Sequence, residues 1–598
     1  MSNQRKNAIS ILRGISIRMP LLIYGAELKN EEEEITIDNF ANLIDDTSWE
    51  EFMPKGVDKE KFEKFKKYYD PDIFREAGKR IREMARAADK FTIEERIERI
   101  SAIFNTFRNP DKETVLTPWR VVNMHMSDCL GGWCFYGESF GEKDTLSVPR
   151  FVDRGKVTQD VFRPEAHILE INSKSGLYPL YVAYNIYRSR VEKVKAKYGE
   201  IGHAFAMSLW DATIEENILV VCKTPMAKSI TKRTLAGFRD TKVNAQYYPN
   251  LIENITERPD AVVNTFRDGK HFWKINENTS MKLDAIVGNP PYQQMDGGGK
   301  GSSSTSLFDK FVDISFKLNP HYCSMIIPSR WFSGGKGLDD FRERTLHDTR
   351  ICLIRDFFDS TYCFPTADIS GGICYFLWDS KYNGDCTIIS ERNGQSSIMK
   401  RPLLEKGCDA FVRFNESVSI IRKVRIKEEK SIETIISARK PFGEIIPNST
   451  HKENSVYVYA YPNNGYYSRF DVEQNTNWIN SYKVFVTKAY GERGDFPYYV
   501  IGKPFIGKPN EICTETYLVV TTTDNNEVCA NVISYMKTKF FRFLVLQKKN
   551  TQNAARNVYT FAPIQDFTRP WTDEELYKKY NLDENEIAFI ESMIKPME

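Results

Sequence analysis

The chain has no CxxC pair and no His/Cys cluster at zinc spacing, although it holds eleven cysteines. Scattered thiols of this kind read as reduced and intracellular. They exclude a disulfide scaffold and a structural zinc site, so no metal is expected. Long apolar runs are also missing. Met19 to Gly25 is too short to span a bilayer and lacks a signal peptide's layout, so a cytoplasmic protein without membrane contact is expected. There is no glycine-rich phosphate cradle, because the small-residue runs at 297–304 and 333–337 lack the required lysine spacing. The N-terminal part shows no nuclease pattern of acidic residues with a lysine. Neither strand cleavage nor ATP-driven translocation is therefore expected. A large excess of positive over negative side chains is missing too. The net charge of +2 excludes little, since a large protein can gather basic residues in one cleft and balance them elsewhere.

The composition that remains, 41% hydrophobic and 27% charged, is that of a soluble globular chain, and 598 residues allow roughly two to four domains. Residues 1–112 read as helical. Thr92 and Glu95 form a capping-box pattern that opens a stretch with Ile93, Ile97, Ile100, Ile103 and Phe104 near one face.

The most informative stretch is Leu283 to Tyr292. Ala285 to Val287 reads as a short buried strand, which Gly288 and two prolines end abruptly. Asn289-Pro290-Pro291-Tyr292 then sits at the strand's carboxyl end, where open α/β sheets place their ligands. Proline fixes φ and donates no hydrogen bond, so the turn is stiff and presents an amide, bare carbonyls and an aromatic ring. Such a set suits a planar ligand carrying an NH2 group.

This tetrapeptide resembles the catalytic motif of S-adenosylmethionine-dependent adenine-N6 DNA methyltransferases, including TaqI-like enzymes and the adenine methylases of bacterial restriction-modification systems. The resemblance implies that the Asn289 oxygen and the Pro290 carbonyl hold the amine's two N–H groups within the corner stiffened by Pro291, while Tyr292 stacks on the base. Catalysis would then rest on positioning and aimed dipoles, without a strong base. It also implies a Rossmann-like doubly wound α/β methyltransferase domain over 113–379. A helical region would precede it at 1–112, and an α+β target-recognition domain would follow at 380–598.

By the same resemblance, Thr117-Pro118 would pack over the methionine end of the cofactor. The strand running into Glu170, followed by Asn172 and Gly176, matches the first cofactor motif, with Glu170 binding an ammonium group and Gly176 allowing close approach. Ile171 and Lys174 depart from that motif, so its turn is expected to be built differently. Cys222 stands where an acidic residue would grip the ribose, a place for which a neutral thiol is a poor substitute; either Asp211 or Glu216 supplies the missing acceptor from nearby, or the cofactor binds more weakly. Asp268, before Gly269, is the candidate for the cofactor's adenine, with a solvated turn as the alternative.

Past the catalytic turn, the glycine- and serine-rich segment at 296–304 is expected to be a loop beside the pocket, with Lys300 near a phosphate. Phe364, before Pro365, matches the phenylalanine that packs on the extruded adenine, with a core phenylalanine at a hairpin as the alternative. In the C-terminal part, Lys539, Arg542, Lys548, Lys549 and Arg556 interleave with aromatic and amide residues. Cations would hold phosphates while Asn, Gln and Arg read base edges in duplex DNA. The alternative there is an amphipathic helix with a wet basic face. The implied partners are double-stranded DNA and a separate helicase or nuclease subunit. Two other readings share the motif: a protein glutamine methyltransferase, and a catalytically inactive DNA-recognition subunit of a defence complex.

Overall fold

The structure is a computed structural model that describes residues 3–30, 33–107, 116–275, 280–295, 304–335, 337–367, 369–392, 394–492, 494–549 and 551–598. Nine strands form its central sheet: β1 (Ile168–Ile171), β2 (Ile218–Cys222), β3 (Ala245–Tyr247), β4 (Ala285–Gly288), β5 (Tyr322–Pro328), β6 (Ile351–Phe357), β7 (Ile373–Asp379), β8 (Cys386–Arg392) and β9 (Gln395–Arg401). They lie in the order β9-β8-β6-β7-β5-β4-β1-β2-β3. The first five strands pair in parallel, and β7 inserts antiparallel between β5 and β6. The sheet continues past residue 379 through β8 and the antiparallel edge strand β9.

Strands β1, β2, β4 and β5 are buried along their whole length, as their unbroken apolar runs require of a sheet covered on both faces. Alternate residues supply the two cores. Ile168, Val220 and Val287 face one side, and Leu169, Leu219 and Ile286 face the other.

The covering helices include α1 (Met19–Gly25), α2 (Pro71–Ala88), α3 (Ile93–Thr106), α4 (Trp119–Cys129), α5 (Leu177–Tyr198), α6 (Pro225–Ala236) and α7 (Phe308–Lys317). The expected capping box of Thr92 and Glu95 opens α3. Its apolar face shares the first core with α1 and α6. Helix α1 lies so close to α6 that a Cβ on Gly25 would come within 2.3 Å of Ile230 Cγ1. Ala8 to Gly25 has the length and apolarity of a membrane-crossing segment. It is nevertheless two helices, Asn3–Ser16 and α1, and α1 is spent on this contact.

Beyond β9 the chain is α+β. Two three-stranded sheets, one built on Ser455–Tyr459 and the other on Tyr482–Thr487, pack with helices that include α8 (Lys539–Leu546). Helix α8 is apolar on all sides and lies in the core, with Phe540, Phe541 and Phe543 fully buried.

Candidate active site

The chain leaves β1 toward β2 and β3, then returns to β4 on the other side of β1. The winding therefore reverses between β1 and β4, and a crevice outside their carboxyl ends is where such sheets bind ligands. Both sequence-predicted motifs end there.

Gly288 closes β4 with φ of 152°, and a Cβ on it would lie 3.2 Å from Glu170 Cγ. Glu170 is buried, and its Oε2 has no hydrogen-bond partner. Burial raises its pKa to about 8, against the smaller pull of the Ser173 hydroxyl. Two residues on, Asn172 takes a left-handed conformation (φ 69°), one that asparagine tolerates better than most residues. It is buried, and neither its Oδ1 nor its Nδ2 is bonded.

Across the reversal, Asn289 Nδ2 donates to Thr117 Oγ1 at 2.9 Å, which leaves Asn289 Oδ1 buried and unbonded. Pro290, Pro291 and Tyr292 are buried. The Tyr292 hydroxyl also lacks a partner, and burial pushes the phenol far above its usual value, so it stays protonated. Orphaned buried polar groups are costly and uncommon in native proteins. Here Glu170, Asn172, Asn289 and Tyr292 carry them at or just beyond the carboxyl ends of two adjacent strands.

The turn after β1 is built differently from the pattern that the resemblance implies. Asn172, not a glycine, supplies the first positive φ, and the Gly176 N–H donates to Ser173 Oγ at 3.2 Å. Gly176 opens α5 with φ of 75°. A Cβ there would meet Thr231 Cα at 3.1 Å and Thr234 Cβ at 3.2 Å, so this glycine serves the packing of α5 on α6. Pro118 is the residue from which α4 starts.

Three expectations about the cofactor side are corrected. Cys222 is fully buried, with its thiol 3.9 Å from Thr231 Oγ1. Asp211 and Glu216 lie on the helix that precedes β2, at the amino end of the sheet. There they pair with Arg239 and Arg190 and cannot replace an acceptor at the carboxyl end. Asp268 accepts from the Lys270 and His271 N–H groups in an exposed turn, also on the path into the amino end of β4. What stands at the carboxyl end of β2 is Thr224, whose hydroxyl donates to Glu51 Oε2 at 2.6 Å, while the Met226 N–H donates to Ser48 Oγ. These partners lie more than 170 residues away in sequence, so no local signal marks them.

On the other side of the catalytic turn is a cavity of about 380 Å³, lined among others by Tyr292, Gln293, Arg330, Gln552, Asn553 and Asn557. Arg330 reaches back to donate to the Tyr292 carbonyl at 3.4 Å. It went unnoticed in the sequence because only its place two residues after Pro328 marks it.

The C-terminal basic run divides. Arg542 is fully buried in α8, and its guanidinium donates to the Lys537 and Thr538 carbonyls. Burial lowers its pKa to about 10, so it is a core residue rather than a surface contact. Lys539 pairs with Glu591. Lys549 donates to the Tyr490 carbonyl at 2.6 Å, with its pKa lowered to about 8 by burial. Lys548, at the cavity wall, pairs with Asp409. Arg556 is half exposed, 4.0 Å from Glu433. The exposed amides of Gln552, Asn553 and Asn557 are what face the catalytic turn. Phe364 is fully buried in the core cluster that includes Tyr292, so its ring has no open face on which to stack. Lys300 lies outside the described residues.

Residues 216–364, which run from β2 past the Asn-Pro-Pro-Tyr turn to Phe364, match the family model of the Eco57I restriction-modification methylase. An uncharacterized adenine-specific methylase of Mycoplasma pneumoniae is 35% identical over 153 residues, covering 25% of this chain and 36% of that one. The matched part thus spans about a third of the relative's length. Among solved structures, a nuclease-deletion mutant of the Type ISP restriction-modification enzyme LlaGI, in complex with a DNA substrate mimic, aligns at 9% identity and a TM-score of 0.43, over 92% of this chain and 60% of that one. The DrdV–DNA complex aligns at 10% identity and a TM-score of 0.41, over 94% and 66%. The chain thus carries a segment similar to the Eco57I restriction-modification methylase.

Proposed function

We propose that this protein is a site-specific, S-adenosylmethionine-dependent methyltransferase acting on the exocyclic amine of an adenine flipped out of duplex DNA. One observation carries the reading: the unbonded, buried polar groups of Glu170, Asn172, Asn289 and Tyr292 gather where the sheet's winding reverses. They include an acid and an amide on one side and an amide oxygen beside bare proline carbonyls on the other. The first pair suits the amino-acid end of the cofactor, and the second suits an amine donor.

When bound, S-adenosylmethionine supplies an electrophilic methyl group. The chain's own contribution is to hold the amine. Asn289 Oδ1 and the Pro290 carbonyl accept its two N–H groups, draw its lone pair out of the ring plane and fix its direction. Tyr292, protonated and apolar over its ring, closes the pocket against water. No residue here needs to act as a strong base.

Extruding a base costs a few kcal/mol, and the surface that would repay it is the cavity beyond Tyr292. Arg330 suits a phosphate there, and the amides of Gln552, Asn553 and Asn557 suit base edges. On this reading the central sheet, which runs through β9 and so past the expected boundary at 379, holds the transfer site, and the α+β part that follows recognises the target. The protein works in the cytoplasm without a metal, beside a separate helicase or nuclease subunit. Sequencing host DNA with detection of modified bases tests the reading. A motif methylated at adenine in the host and unmethylated after deletion of the gene is expected, and identical adenine methylation in both strains contradicts it.

A further inference from the structure

Thr117 and Asn289 are 172 residues apart in sequence, yet their side chains bond at 2.9 Å with Asn289 Nδ2 as donor. An asparagine amide offers a donor end and an acceptor end of nearly the same shape, and an amine substrate can use only the acceptor end. Thr117 occupies the donor end. The acceptor end, Oδ1, is left buried with no partner.

The local sequence fixes Thr117 itself. It precedes Pro118, which restricts its backbone to the extended region, and it is β-branched, which restricts χ1. It is 5% exposed and sits where α4 begins, and α4 is buried along nearly its whole length. A hydroxyl held so firmly is a reference point for a side chain on another element.

We infer that Thr117 is a positioning residue for methyl transfer: its hydroxyl holds the Asn289 amide so that Oδ1, and not Nδ2, addresses the substrate amine. This rests on the proposed function. It differs from a role for Thr117 in binding the cofactor, because a cofactor contact acts on affinity whereas an orienting bond acts on turnover once both substrates are bound.

The test compares the unaltered protein with Thr117→Val, which keeps the shape and removes the acceptor, and Thr117→Ser, which keeps the hydroxyl. Single-turnover transfer of labelled methyl to duplex DNA is measured alongside the cofactor Kd and the melting temperature. Thr117→Val is expected to lower the single-turnover rate about tenfold, the scale of one lost hydrogen bond, with the cofactor Kd unchanged. Thr117→Ser is expected to recover most of the rate. An unchanged rate in Thr117→Val, a loss that appears in the cofactor Kd instead, or a serine variant as slow as the valine one overturns the inference and leaves the methyltransferase reading standing. No transfer to duplex DNA by the unaltered protein overturns that reading and this inference with it.

Discussion

Glu170 and Gly288 touch across the point where the sheet's winding reverses. The glutamate lies so close that a single added carbon on the glycine would sit 3.2 Å from Glu170 Cγ. The acid of one motif and the strand end of the other therefore form one wall.

Gly288→Ala strains a backbone at φ of 152° and presses on Glu170. A loss of about 1–2 kcal/mol in chemical denaturation is expected, together with weaker cofactor binding. A variant as stable as the parent with unchanged cofactor Kd contradicts the contact.

The buried Glu170 carboxyl has its pKa raised to about 8 from 4.5, and on the proposed reading it ionises to receive the cofactor's ammonium group. Affinity for S-adenosylmethionine is expected to rise as pH increases toward about 8, up to roughly tenfold per pH unit, and to level above it. The sign for stability is opposite. The native state holds this proton more tightly than the unfolded chain, so stability falls between pH 4.5 and about 8. Glu170→Gln removes both dependences. Calorimetric titrations from pH 6 to 9 check this, and an affinity independent of pH contradicts it.

Arg542→Ala takes a fully buried guanidinium away from the carbonyls it satisfies. Its expected effect is on folding, a loss of about 2–4 kcal/mol read from denaturant midpoints. DNA affinity of the folded fraction should stay near that of the parent.

Gln552→Ala and Asn553→Ala behave oppositely. Both side chains are exposed and line the cavity beside Tyr292. Melting temperatures are expected to hold, while discrimination between the methylated sequence and a mismatched duplex falls by about 1–3 kcal/mol per lost base contact. Equal affinity ratios in parent and variants contradict a reading role.

The strand end at Gly288 was legible because its information is local: an apolar tripeptide, a glycine and two prolines dictate a strand that stops dead. The turn after β1 was legible as a turn for the same reason, but that Asn172 would supply its first positive φ was not. Thr117 was found by its motif, but its bond to Asn289 was not, since nothing in either segment encodes the other. Glu51 and Ser48 at the end of β2 were missed for the same cause. Arg542 and Phe364 were misplaced because a side chain's type does not tell which face of its element is covered. In α8, phenylalanines on every side were the signal of a core helix, and they outweigh the basic residues between them.

The most direct test of the account is transfer of labelled methyl from S-adenosylmethionine to duplex DNA carrying the host's methylated motif, by the parent and by Asn289→Ala at matched folded concentration. The parent is expected to label adenine at the amino nitrogen, and Asn289→Ala to label none while melting at the parent's temperature. Near-normal labelling by Asn289→Ala contradicts the central claim that this amide oxygen holds the reacting amine.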